Sequence, residues 1–224
     1  MTKALSLFGG WPGHRPYEIG AWARSLLDEL GYDVVESSDI FVLDGDLTEF
    51  DLIVLGWNNA LTTEDLTDAQ EDSLLSAVAA GTGVAAWHGA AAAFRSSVKY
   101  HFMLGGDWIE HPAGEGFPYE YEVRITDTSH EVTHGVNNFR VASEQYYMHV
   151  DPNNQVLAET TFTGEHLAWL DGHTMPQAWV RPWGKGRVFY HAIGHAPSDL
   201  ADPNVRRLTK QGIAWVTRQP KPNE

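Results

Sequence analysis

The chain has 224 residues, 43% of them hydrophobic, with a formal net charge of -15 at pH 7 and no cysteine. This length suits one substantial hydrophobic core, and the excess of acidic residues argues against nucleic acids and anionic membranes as partners. Without cysteine there is no disulfide and no thiol nucleophile, and without a run of about 18 apolar residues we expect no membrane span.

Strands and helices alternate through the first half of the chain. Strands are predicted at residues 4–8, 33–36, 52–55 and 83–87. Apolar residues at helical spacing from Ile19 to Leu30, followed by Gly31, predict a first helix, and a capping-box pattern from Thr67 to Gln70 begins a second. Such alternation favours a parallel, doubly wound sheet. Because the first predicted strand follows the N-terminus with no apolar leader before it, we expect a cytoplasmic protein.

In the second half, predicted strands follow one another without long helices between them. They lie at residues 119–125, 139–143, 155–161, 177–181 and 187–193, and a turn at 183–186 joins the last two. Asp202 as N-cap and Pro203 at the first helical position begin a final helix. We therefore predict a single α/β domain over residues 1–218 with an antiparallel β extension, followed by a disordered tail at 219–224.

One segment has the layout of a nucleophile elbow. Gly83-Val84-Ala85-Ala86-Trp87-His88-Gly89-Ala90 is typical of a buried strand that passes through a tight turn into a helix, which lifts one side chain above the sheet. A hydrolase has Ser or Cys at this point, whereas this chain has Trp87 and His88, with Ser96 and Ser97 predicted to lie further into the helix. The sequence therefore argues against an amidotransferase-like or peptidase-like hydrolase and predicts chemistry without a covalent nucleophile.

Four predicted strand ends carry a tryptophan or a histidine beside glycine. Ligands bind beyond the carboxyl ends of the strands in such sheets, tryptophan stacks on sugars, and histidine exchanges protons or binds metals. A single histidine in a turn is more often structural, but a tryptophan or histidine at each of four strand ends favours a site. The residues concerned are Trp11, His14, Trp57, Asn58, His88 and His195.

A second cluster, at residues 143–152, contains an acid among aromatic side chains. Glu144 is followed by Gln145 and Tyr146, and Tyr147 and His149 come next. In apolar surroundings the pKa of Glu144 would be raised, which suits a general acid or base. The alternative interpretation is a solvent-facing glutamate beside aromatic residues of the core.

Several of these segments together resemble one protein family. They are Gly10-Trp11-Pro12-Gly13-His14, Trp87-His88-Gly89-Ala90-Ala91-Ala92-Ala93-Phe94-Arg95, Leu104-Gly105-Gly106-Asp107-Trp108-Ile109-Glu110-His111-Pro112, Ser143-Glu144-Gln145-Tyr146-Tyr147 and Trp183-Gly184-Lys185-Gly186-Arg187-Val188-Phe189-Tyr190 before Gly194-His195. With these motifs the chain resembles the trehalose-utilisation (ThuA-like) family. The resemblance implies a flavodoxin-like, class I glutamine amidotransferase-like sheet that is doubly wound and mostly parallel.

The resemblance also implies a substrate class. Family members are associated with breakdown of trehalose and similar disaccharides, alongside dehydrogenases that produce 3-keto sugars. A 3-keto group acidifies the proton on C2, so a base could drive isomerisation or elimination without any nucleophile. We expect His88, Glu144 and His195 to act as catalytic groups on a small-molecule sugar. The expected sugar-binding residues are Trp11, His14, Trp57, Asn58, Gln145, Tyr147 and His149.

Two alternatives stay open at this stage. A divalent metal could stabilise an enediolate, and His88, His111, His149 and His195 with Glu144 offer ligands, although no pair has a recognised metal-binding spacing. A non-catalytic sugar-binding or regulatory protein would keep the tryptophan and asparagine residues but has little use for Glu144 and several histidines. A homo-oligomer is compatible with the sequence.

Overall fold

The computed structural model describes residues 2–59 and 65–218, so the predicted tail at 219–224 lies outside the described residues. The strands of the described part are β1 (Lys3–Gly10), β2 (Asp33–Ser37), β3 (Leu52–Asn58), β4 (Gly83–Trp87), β5 (Gly106–Glu110), β6 (Tyr119–Ile125), β7 (Phe139–Ser143), β8 (Tyr147–Val150), β9 (Gln155–Thr161), β10 (Thr174–Trp183) and β11 (Gly186–His191). The α-helices are α1 (Pro16–Glu29), α2 (Asp68–Ala80), α3 (Val98–Leu104) and α4 (Pro203–Val216).

A mixed sheet runs through the middle of the molecule in the order β2-β1-β3-β4-β11-β10-β9-β6-β7. Neighbouring strands from β2 to β11 are parallel, and those from β11 to β7 are antiparallel. The predicted α/β class with an antiparallel extension is therefore confirmed. The sheet places the carboxyl ends of β1, β3, β4 and β11 at one edge.

Helices cover the parallel half on both faces. Ile19 of α1 and Leu208 of α4 belong to the core on one face, and Leu74 of α2 and Met103 of α3 belong to the core on the other. Residues of β3 alternate between these two cores, which explains its uninterrupted apolar run. The sheet is thus doubly wound, as predicted.

The predicted ends of the helices are also observed. Thr67 and Gln70 exchange both bonds of a capping box at the start of α2, and Gly31 adopts a φ of 74° just beyond α1. The carboxylate of Asp202 accepts from the backbone N–H groups of Asn204 and Val205 at the start of α4. None of the helices in the described part of the chain has the length and apolar content to cross a bilayer.

Two features differ from the predictions. After β4 the chain forms a 3-10 helix at residues 88–92 rather than a longer α-helix, since Ala93 is already extended and Phe94 takes a φ of 52° before α3. Ser96 and Ser97 therefore precede a helix instead of lying within one. The prediction also missed β5 and β8, which pair with each other as a small second sheet beside the elbow.

Candidate active site

The elbow residue His88 has a strained backbone and an almost fully buried side chain. Its φ is 44°, a conformation that costs a non-glycine residue free energy and that concentrates at functional sites. The ring Nδ1 lies 2.9 Å from the carbonyl oxygen of Ala192. Because a carbonyl only accepts, Nδ1 carries the proton in neutral His88, and the lone pair is on Nε2.

The Nε2 atom of His88 has one partner for each of its protonation states. It lies 2.9 Å from the hydroxyl of Tyr146 and 3.1 Å from Oε2 of Glu144. When His88 is neutral, Nε2 accepts from the Tyr146 hydroxyl; when it is protonated, Nε2 donates to the Glu144 carboxylate. Nε2 of His88 therefore has a hydrogen-bond partner both as an acceptor and as a donor.

Glu144 connects His88 with a second histidine. Its Oε2 lies 3.1 Å from Nδ1 of His195, an ion pair rather than an aligned hydrogen bond, and its Oε1 accepts from the backbone N–H of Gly116. Burial alone would raise the pKa of Glu144, but His195, His88 and the Gly116 N–H favour the charged form and lower the pKa well below its usual range. The raised pKa expected from the sequence is therefore wrong, because the sequence does not show these partners.

The pKa values of the two remaining histidines of the cluster shift in opposite directions. Burial opposes the protonation of His195, but attraction by Glu144 outweighs it and raises the His195 pKa. Burial and repulsion by His88 and His195 lower the pKa of His14 to about 2, so this ring is neutral. The side-chain amide nitrogen of Asn58 donates to Nδ1 of His14 over 2.8 Å and also to a backbone carbonyl, which leaves the His14 proton on Nε2.

A cavity of about 130 Å³ lies beside this cluster. Both polar and apolar groups line it, as in sites for small molecules. The lining residues are Trp11, His14, Asn58, Ala92, Trp108, His111, Glu115, Glu144 and Tyr146. His88 lies behind this surface, next to a smaller void of about 20 Å³.

The structure brings together some of the predicted site residues and separates others. Those in or beside the cluster are Trp11, His14, Asn58, His88, Glu144 and His195. Trp57 packs in the core against Gly9, and Gln145 donates to Thr160 in a different hollow. Tyr147 packs against Phe162, and His149 is exposed on β8.

Four cavity residues were not among the predicted catalytic or sugar-binding residues: Trp108, His111, Glu115 and Tyr146, of which only His111 is among the candidate metal ligands. A signal for three of them existed in the sequence. Trp108 and His111 lie in one of the resemblance motifs, and Tyr146 is two residues from Glu144, on the same side of an extended chain. Glu115 lies in the irregular segment 111–118 and had no such signal.

The cluster also has the donor set of a metal site. The ligand atoms of His14, His88, Glu144 and His195 all lie within 4.8 Å of one another. Imidazole nitrogen and carboxylate oxygen are the ligands that zinc and similar divalent cations take in proteins. The bond from Nδ1 of His88 to the Ala192 carbonyl is the outer contact usual for a metal-binding histidine.

The family of this chain follows from a sequence comparison. A sequence model of the trehalose-utilisation (ThuA) family matches residues 3–216. No curated protein matches the chain.

Solved structures share the fold at low sequence identity. A ThuA-like protein of Parabacteroides merdae superposes with a TM-score of 0.80 at 20% identity over 99% of this chain and 93% of that one. A ThuA-like protein of Bacteroides uniformis gives a TM-score of 0.74 at 20% identity, over 96% and 91% of the two chains. A cytoplasmic protein of Salmonella typhimurium gives 0.66 at 14% identity, over 97% and 100%.

Proposed function

Because this chain belongs to the trehalose-utilisation family, we propose that it is an enzyme that acts on a disaccharide-derived sugar by acid–base chemistry, without a covalent intermediate. The observation that carries this proposal is His88, a strained elbow residue with one hydrogen-bond partner for its neutral form and another for its charged form. The family supports a role in carbohydrate metabolism, and the geometry of the cluster supports proton transfer.

The proposed reaction begins on a sugar with a carbonyl at C3. The carboxylate of Glu144, a cavity-lining residue, removes the proton from C2 and passes it to Nε2 of His88, 3.1 Å away. The electron pair of that C–H bond moves toward the carbonyl, whose oxygen becomes negatively charged. The imidazolium of His195 stabilises that oxygen, and Glu144 holds His195 in its charged form. After the proton transfer, protonated His88 donates to Glu144.

Two outcomes follow from this enediolate. In an isomerisation, the proton of the C2 hydroxyl passes to the oxygen on C3. A proton is then returned to C3, and the carbonyl is at C2. In an elimination, the carbonyl at C3 reforms, a double bond forms between C1 and C2, and the bond from C1 to the glycosidic oxygen breaks. The departing oxygen then takes up a proton, which His195 can supply.

The cavity wall supports a sugar as the substrate. Trp11 offers an aromatic face, and neutral His14 presents an N–H donor from Nε2. Trp11 and His14 pack edge to face with ring centres 4.8 Å apart, so both side chains have a defined position. Polar groups and an aromatic ring on one wall are the combination that binds sugar hydroxyls and the apolar face of a sugar ring.

The proposal is tested by incubating the protein with the 3-keto derivative of trehalose and following the products by chromatography. Wild type should consume the sugar, whereas His88→Ala and Glu144→Gln should reduce the rate at least about 100-fold, the usual contribution of a general acid or base. His149→Ala is the matched control, because this histidine is exposed on β8 outside the cavity. Full turnover in both cluster variants would refute the assigned roles.

The burial of the cluster favours a second candidate function. His88 and Glu144 are only 1% and 2% exposed, so the network could also serve to shape a sugar-binding protein without turnover. Such a protein would bind trehalose or its 3-keto derivative and release it unchanged. Binding without consumption of either sugar, with and without added divalent metal, would favour this candidate over the enzyme.

We also propose that the cluster of His14, His88, Glu144 and His195 takes up an added divalent cation such as zinc. The cation would occupy lone pairs of His88 and His195 that the proposed proton transfers use. We therefore expect zinc to bind and to inhibit, and turnover to persist after metals are removed with a chelator.

A further inference from the structure

The indole N–H of Trp108 is buried and has no hydrogen-bond partner among residues 2–59 and 65–218. The indole nitrogen is a donor only, and a buried tryptophan N–H nearly always has an acceptor, because leaving it unpaired costs free energy. Trp108 lines the cavity beside Glu144 and Tyr146. Its N–H therefore needs an acceptor that the described protein does not supply.

Two other tryptophans of the chain show the usual arrangement. The indole N–H of Trp179 donates to the carbonyl of Leu104 over 2.9 Å, and that of Trp183 donates to the carbonyl of Leu75 over 3.3 Å. Neither of these tryptophans lines the cavity. The unpaired indole N–H thus occurs where a bound molecule could supply an acceptor.

The ring of Trp108 is held in place by contacts that do not involve its N–H. The Arg95 guanidinium lies 5.3 Å from the ring centre, and Arg95 also bonds to the backbone carbonyl of Trp108 and to the carboxylate of Asp107. The backbone of Trp108 pairs with Met148 across the second sheet. Because these contacts fix the ring of a cavity-lining residue, its buried N–H has a defined position.

His111 adds a second polar atom to the same wall. Its ring centre lies 5.1 Å from that of Trp108, and it also lines the cavity. Its buried Nδ1 lies 3.3 Å from Oε1 of Glu110, but the two atoms are not aligned as a hydrogen bond. Two neighbouring polar atoms on this wall therefore lack an aligned partner in the described part of the chain.

We propose that Trp108 is a specificity-determining residue whose indole N–H donates to a hydroxyl of the bound sugar, with His111 as the neighbouring polar contact. The proposal takes its substrate class, a sugar with free hydroxyls, from the function proposed above. It assigns a binding role to β5, which lies on a different part of the chain from His88, Glu144 and His195.

Trp108→Phe tests this role, because it keeps an aromatic ring and removes only the donor. Loss of one neutral hydrogen bond should weaken sugar binding about tenfold. If the hydroxyl is remote from the reacting carbon, KM should rise by that factor while kcat stays unchanged. Trp183→Phe is the matched control, since it removes an indole hydrogen bond outside the cavity and should leave sugar binding unchanged.

The direct measurement is an NMR titration of the indole N–H signals of nitrogen-15-labelled protein with trehalose, sucrose and 3-keto-trehalose. Trp108→Phe identifies the Trp108 signal by its loss. We expect at least one sugar to shift that signal saturably, while the signals of Trp179 and Trp183 stay in place. A Trp108 signal unmoved by all three sugars would overturn the assignment. A shifted signal without any turnover would refute the proposed chemistry and leave the assignment standing.

Discussion

At the scale of single residues, the site depends on the charge that Glu144 imposes on its neighbours. The carboxylate faces His88 and His195 and raises the pKa of His195 despite burial. An unpaired carboxylate at this depth would be unfavourable, so His195 and the carboxylate favour one another's charged forms. Any change at Glu144 should therefore appear in the pH profile as well as in the rate.

Glu144→Gln should move the alkaline limb of the pH profile. The neutral amide no longer raises the pKa of His195, so His195 should lose its proton at a lower pH, and turnover that needs the imidazolium should fall off at that lower pH. The measurement is the pH dependence of sugar consumption, using whatever residual rate the variant retains. Glu122→Gln, an exposed change on β6 outside the cavity, is the control. An alkaline limb at the wild-type pH would contradict the role given to Glu144.

His191 should make the fold sensitive to acid. Burial, with repulsion from His88, lowers the pKa of His191 from 6.5 to about 3, and its Nε2 donates to the Thr209 hydroxyl over 2.9 Å. As pH falls, His191 is protonated at a higher pH in the unfolded chain than in the folded protein. The stability contributed by neutral, buried His191 is therefore complete above about pH 6.5 and is lost toward pH 3. At pH 4.5 the loss is about 3 kcal/mol.

His191→Gln tests this linkage, since glutamine keeps a donor for Thr209 but cannot become charged. The variant should lose less stability than wild type between pH 7 and pH 4.5, measured as the change in the free energy of unfolding. His14, whose pKa is also lowered, keeps part of the acid sensitivity in both proteins. Equal losses of unfolding free energy in wild type and His191→Gln would show that His191 does not cause the acid sensitivity.

At the scale of elements, capping residues close together in the sequence fix where helices begin, and the capping box of α2 tests this by mutation. The hydroxyl of Thr67 accepts from the backbone of Gln70 over 3.2 Å, and the Gln70 side chain accepts from the backbone of Thr67 over 3.0 Å. Thr67→Ala should cost about 1 kcal/mol and lower Tm by roughly 2–4 °C. Thr67→Ser should restore most of the loss, and sugar turnover should not change. A Tm equal to wild type in Thr67→Ala would show that the box contributes nothing.

The sequence predicts those elements whose pattern is local. The strands at 119–125, 139–143 and 155–161 agree with the structure because period-two alternation and bounding turns are visible over a few residues. The pairing of β5 with β8 joins segments about forty residues apart, and neither strand carries a strong pattern alone. For that reason residues 99–118, which lack a clear periodicity, could not be resolved into α3 and β5.

The candidate site was predictable to a similar extent. The rule that ligands bind beyond strand ends correctly brings His14, His88 and His195 near one another, from β1, β4 and β11. Alternation around β8 separates Glu144 and Tyr146 from Gln145 and Tyr147, so the latter pair lies away from the cavity. The low pKa of Glu144 could not be predicted, since it depends on partners far away in the sequence.

At the scale of the whole molecule, a ligand that binds only the folded chain stabilises it globally. Zinc at 100 times its dissociation constant should add about 2.7 kcal/mol, a rise in Tm of roughly 5–10 °C. The rise in Tm caused by zinc should vanish in His88→Ala and persist in His149→Ala. Zinc should also inhibit turnover. An unchanged Tm would show that the four-residue cluster does not take up the cation, and turnover lost after chelation would show that the reaction requires a metal.

In the fold as a whole, the turn after β4 carries His88 with a positive φ at the point where a hydrolase elbow would carry its nucleophile. β4 and β11 lie side by side and deliver His88 and His195 to one edge of the sheet, and the segment after β7 brings Glu144 between them. Proton transfer without a covalent intermediate is the chemistry that this arrangement supports.

The most direct test of proton transfer is an NMR experiment in deuterated water with 3-keto-trehalose and the wild-type protein. We expect deuterium to enter C2 of the keto ring, or a C1–C2 double bond to form with release of the second sugar. His88→Ala should abolish either reaction. Retention of the proton at C2 in a sugar that the protein demonstrably binds would contradict the proposed proton transfer.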